Sequence, residues 1–107
     1  MKKINILYIG RHPEILATVV RLLNKNETWN GVGVQTDEAA IEAFKETDFD
    51  LVLLGPGIEA ESEKQLRSVF NEQKSNIIII QHYGGGSGLL TGEIMQALYE
   101  GKQLGGN

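Results

Sequence analysis

The chain contains no cysteine among its 107 residues. Disulfides, thiolate catalysis and cysteine-ligated metal are therefore excluded. It also lacks any long hydrophobic stretch. The longest apolar runs, residues 77–80 and 51–54, are far too short to span a bilayer, so no membrane role is expected. Nor is there an excess of basic residues. Ten lysines and arginines stand against fourteen acids, for a net charge of −4 and a sequence pI near 5.1. Attraction to a phosphate backbone should be weak, and nucleic acid is not an expected partner. Residues 1–10 carry two lysines but no extended apolar core with a small-residue cleavage site. No signal peptide is expected, and a cytoplasmic protein is the default.

What is present is an ordinary globular composition, 41% apolar and 22% charged, in a length suited to one hydrophobic core. The expected division is a single domain over residues 1–101 and a flexible tail over 102–107. Four segments read as buried parallel strands: residues 4–9 (INILYI), 31–35 (GVGVQ), 50–54 (DLVLL) and 76–80 (NIIII, from Asn76 to Ile80). The first, third and fourth are nearly continuous apolar runs, as expected when both faces of a sheet are covered. The second is weaker and carries glycines, which suits an edge.

Helical patterns alternate with these strands. Pro13 fits a first helical position, and Ile15, Leu16, Val19, Val20, Leu22 and Leu23 follow as one broad apolar face. Thr36 is placed to cap a second helix, with Asp37 and Glu38 at its positive dipole end and Ala40, Ile41 and Phe44 inward. A third helix begins near Glu59 and buries Leu66, Val69 and Phe70. The last runs from about Leu89 or Thr91 to Glu100, packs through Leu90, Ile94, Ala97 and Leu98, and stops at Gly101. Strict alternation with right-handed crossovers predicts a three-layer, doubly wound parallel sheet of flavodoxin-like type. Its expected strand order is 2-1-3-4, with the switch point between strands one and three.

The segments INILYIGRHPEIL and TDEAAIEAFKETDFDLVLLG resemble the receiver domain of two-component response regulators over roughly half the chain. That resemblance implies two acids after the first strand, a phosphoacceptor aspartate ending the third, a Thr or Ser ending the fourth, and a lysine ending a fifth. This sequence departs at each. The acidic pair falls on Gly10 and Arg11, the phosphoacceptor on Gly55, and the Thr/Ser on Gln81, and no sequence is left for a fifth strand. Phosphoryl transfer to an aspartate needs a carboxylate and Mg²⁺ held by hard oxygen ligands. Gly55 cannot attack, and Arg11 would repel the metal. The resemblance thus implies a pseudo-receiver: a non-enzymatic signalling and protein-interaction module of the two-component or phosphorelay kind, without a cofactor. A second likeness covers the other half. LLGPGIEAESEKQL and GLLTGEIMQAL are similar to the B component of the lactose/cellobiose phosphotransferase system. That family's phosphocarrier cysteine would fall on Ile9 or Gly10, so only a divergent relative without its chemistry is implied.

Three side chains remain as candidates for binding. In the expected fold Arg11, His12 and His82 share the carboxyl edge of the sheet, where an anion or phosphometabolite could sit on their donors and on helix amino ends. The plainer alternative makes Arg11 and His12 exposed loop residues, with His12 capping the first helix. Two histidines alone make a poor zinc site, and no metal is expected. The loop from Gly84 to Gly88 (GGGSG) lacks the lysine and Ser/Thr of a nucleotide P-loop and reads as a sharp turn into the last helix. It also stands where a receiver's fourth helix and fifth strand would be. Trp29 reads as a loop residue closing the edge of the core. The fourth strand, apolar yet last in the sheet, leaves an unprotected edge. A homodimer through residues 76–80 and the last helix is the expected remedy; the identity of any protein partner stays open.

Overall fold

The computed structural model describes residues 3–82 and 87–105. The elements alternate throughout: β1 (Ile4–Ile9), α1 (Pro13–Asn24), β2 (Trp29–Val34), α2 (Asp37–Glu46), β3 (Leu51–Leu54), α3 (Ala60–Gln73), β4 (Ile78–Gln81) and α4 (Ser87–Gly105). All strand pairs are parallel and the order is β2-β1-β3-β4, as the alternation predicts. Each strand points its odd and even residues to opposite faces, so the continuous apolar runs serve two cores. Ile6, Tyr8, Leu51 and Leu53 pack with Val19 and Leu23 of α1 and with Leu90, Ile94 and Ala97 of α4. Leu7, Ile9, Val52 and Leu54 pack on the other face with Ala40 and Phe44 of α2 and Leu66 and Phe70 of α3. There the Phe44 and Phe70 rings meet at a centroid distance of 4.4 Å.

Several boundaries move, each for a tertiary reason. β2 starts at Trp29 and ends at Val34, because pairing with β1 aligns Trp29 with Ile4 and Val34 with Ile9. Trp29 is therefore a buried strand residue, 4% exposed, and not a loop cover. β3 starts one residue late. Asp50 instead accepts the Asn5 N–H on its carboxylate at 2.8 Å and donates its own N–H to the Asn5 carbonyl at 2.8 Å. β4 is shifted to Ile78–Gln81 by its register against β3, Leu51 opposite Ile78 and Leu54 opposite Gln81. Ile15, expected on the inner face of α1, is largely exposed.

The largest correction concerns α4. It runs through Gly101 to Gly105, past the expected stop. A Cβ at residue 101 would collide with the Ile78 side chain, so glycine there permits close helix–strand packing instead of ending the helix. Residues 102–105, expected in a flexible tail, continue the helix. Ser87 and Gly88 are its first two residues, whereas Gly84, the rest of residues 83–86, and 106–107 lie outside the described residues. α4 packs on the α1 face of the sheet, while α3 packs on the α2 face. Between β4 and α4 the chain thus changes sides of the sheet.

Candidate functional site

The carboxyl edge is built by extending the ladder one residue beyond each strand. Gly10 N–H donates to the Val34 carbonyl at 3.0 Å, Gly55 N–H to the Ile9 carbonyl at 2.8 Å, and His82 N–H to the Leu54 carbonyl at 2.8 Å. Gly10, Gly55 and Gln81 therefore do sit at the ends of β1, β3 and β4. The Pro56-Gly57 pair turns the chain back after β3. Gly57 has φ +89°, which suits the third position of a type II turn with proline before it.

Both terminal glycines are matched to one side chain. Tyr8 is fully buried, and its ring reaches along the α1/α4 face to the end of the sheet. A Cβ on Gly10 would fall 2.6 Å from the Tyr8 Cε2 atom. On Gly55 it would strike the Tyr8 hydroxyl and lie 2.8 Å from Cζ. The ring occupies the volume that side chains at positions 10 and 55 would need. Its hydroxyl is buried and has no hydrogen-bond partner among the described residues, and burial pushes the phenol pKa above its ordinary value.

Arg11 points elsewhere. Its Nη2 donates to Asp37 Oδ1 at 2.7 Å, Nη1 to the Gln35 carbonyl at 2.8 Å, and Nε to Glu59 Oε1 at 3.4 Å. One guanidinium thus joins the loops after β1, β2 and β3, with Asp37 beginning α2 and Glu59 preceding α3. Desolvation raises the Asp37 pKa, but the hydrogen bonds from Arg11 and Ser62 and the charge of Arg11 outweigh it, holding the carboxyl below its usual range. The Asp37 hydrogen bond is the main cause of the raised Arg11 pKa.

The three side chains expected to hold an anion have different surroundings. Arg11 is neutralised by acids, His12 is exposed, and His82 is buried with its Nδ1 2.9 Å from Glu93 Oε1 of α4. His12 holds the N-cap position of α1 but makes no side-chain capping bond. Among the described residues, no group of three or more His, Asp or Glu side chains is placed to hold a metal ion. Tyr8, Asp37, Glu59 and Glu93 were not candidates in the sequence. Asp37 and Glu59 could have been found there, since both open helices on the edge that carries Arg11.

No protein-family model and no curated protein matches this chain in sequence. Solved structures do match it. The signal receiver domain of an HD domain-containing protein from Pseudomonas fluorescens Pf-5 aligns with TM-score 0.77 at 15% identity, over 96% of this chain and 92% of that one. The fold is a receiver fold. Response regulator TrrA from Thermotoga maritima, solved with Mg²⁺-BeF, gives TM-score 0.62 at 23% identity over 78% and 72% of the two chains. The receiver domain of a Saccharomyces cerevisiae response regulator, co-crystallised with a histidine phosphotransfer protein, gives 0.59 at 21% over 82% and 68%. Within this receiver fold, the aromatic ring of Tyr8 and the Arg11 ion cluster stand at the edge where the resemblance puts carboxylates. Among the described residues no helix is long and apolar enough to cross a membrane.

Proposed function

We propose that this chain is a pseudo-receiver: a non-enzymatic, cytoplasmic protein-interaction module that does not accept a phosphoryl group. The observation that carries the reading is the fit of Tyr8 beneath Gly10 and Gly55. A receiver that had merely lost its aspartate would keep room for one. Here that room is taken by a core side chain, and Arg11 supplies internally the positive charge a metal would bring. Structural likeness to receivers solved with a phosphotransfer protein or with Mg²⁺-BeF supports the class, and the refilled edge supports the loss of chemistry. Incubation with acetyl phosphate and Mg²⁺ should leave the intact mass unchanged. Stoichiometric phosphoryl addition would overturn the proposal.

Self-association belongs to the same reading. β4 ends the sheet, and its outer edge has no neighbouring strand among the described residues. On α4, Leu89, Met95 and Tyr99 are 57–65% exposed on the side away from Leu90, Ile94 and Ala97. A second copy across this edge and helix would cover both. Light scattering at micromolar concentration should give about twice 11.8 kDa, and a monomer mass would remove the dimer from the reading.

A further inference from the structure

Between α1 and α4, at the same carboxyl edge, lies an open cleft of about 450 Å³. Ile15, Val19 and Leu22 line one side, Leu90 the other, and Pro56 and His82 close the end nearest the sheet. Glu14 and Thr18 stand at the α1 side. The size and the mainly apolar wall with few polar groups are those of a small-molecule site.

Its polar groups define what it would take. A carboxylate only accepts hydrogen bonds, so His82 Nδ1 carries the proton that joins it to Glu93 Oε1 at 2.9 Å. In the neutral ring Nε2 is then the free acceptor, and no described residue holds it. Thr18 Oγ1 donates to the Glu14 backbone carbonyl at 3.1 Å, leaving the Glu14 carboxylate at the rim. The Glu14 and Glu93 carboxylates disfavour an anion.

We propose that this cleft binds a small uncharged molecule with a flat or branched apolar body and one N–H or O–H that donates to His82 Nε2. The site lies beside the positions argued to have lost phosphoryl chemistry but uses other side chains, and it stands whether or not that reading does. Such a ligand would bridge α1 and α4 and so bias their spacing.

Indole is the probe, with N-methylindole and indole-3-acetate as comparisons lacking the donor and carrying an anion. In ¹⁵N-edited NMR titrations, indole should give saturable shifts at Val19, Leu22, Leu90 and Gly57. Its affinity should exceed that of N-methylindole by about fivefold, the worth of one hydrogen bond. Indole-3-acetate should bind weakest. His82→Phe should bind indole and N-methylindole equally. Thr18→Trp, a change at an exposed position, should fill the mouth and abolish the shifts while the spectrum stays folded. Absence of saturable shifts with wild type, or equal binding of all three probes, would overturn the proposal; so would full indole binding by Thr18→Trp.

Discussion

The hydroxyl of Tyr8 stands where a Cβ on Gly55 would have to be, although 47 residues separate them in the chain. One residue is large because the other has no side chain. The two positions are therefore coupled, and neither can be read alone.

Gly55→Ala should destabilise the protein by about 2 kcal/mol, the usual cost of overpacking a closed site. In a domain of this size, that is a fall in Tm of roughly 8–16 °C by calorimetry. In a Tyr8→Ala background the same change should cost much less, and a double-mutant cycle reads the coupling directly. Gly55→Asp alone should remain unphosphorylated in acetyl phosphate and Mg²⁺, because the ring still fills the site. Equal costs of Gly55→Ala in both backgrounds would contradict the volume exchange.

Tyr8→Phe removes the buried hydroxyl without changing the ring. Since that oxygen and its proton find no partner among the described residues, the variant should be more stable by about 1 kcal/mol in urea unfolding. A clear loss of stability would mean that the hydroxyl is satisfied in solution.

Arg11→Ala breaks the ties to Asp37, Glu59 and the Gln35 carbonyl. With the Arg11 and Asp37 side chains each 23% exposed, solvent screening limits the expected cost to about 1 kcal/mol at neutral pH. The folded Asp37 pKa lies below its unfolded value, so its contribution is fully present above the unfolded carboxylate pKa of about 3.9. It is lost as pH falls through the lower folded value. The gap between wild type and Arg11→Ala should thus be constant from pH 5 to 7 and shrink below about pH 4. Arg11→Lys should recover only part of it, since an ammonium cannot fork between three acceptors.

Thr36 Oγ1 accepts the Ala39 N–H at 3.1 Å and caps α2. Thr36→Ala should cost about 1 kcal/mol and Thr36→Ser almost nothing, measured by thermal melts. A loss of the same size in both would point to the methyl group and not to the cap.

The parts legible in the sequence were those that depend on neighbours along the chain. Apolar runs bounded by turn residues gave four strands, helical spacing placed Val19, Leu23, Phe44, Leu66, Phe70 and Ile94 inward, and Thr36 announced its cap. From alternation and handedness the order β2-β1-β3-β4 followed, because few topologies obey both constraints. The two edge glycines were legible as missing chemistry but not as room for a ring. Tyr8 looked like any residue of an apolar strand, and only the approach of β1 to β3 sets its hydroxyl against Gly55. Arg11 and His82 lay on the expected edge, yet their partners Asp37, Glu59 and Glu93 come from helices whose rotation and tilt are decided by packing. Gly101 shows the same limit: by local rule it ends a helix, whereas close packing on Ile78 makes it an interior position. Periodicity is a property of a segment and survives in the sequence. Which side chains share one volume or one charge is settled by contacts between segments, and that the tertiary structure alone decided.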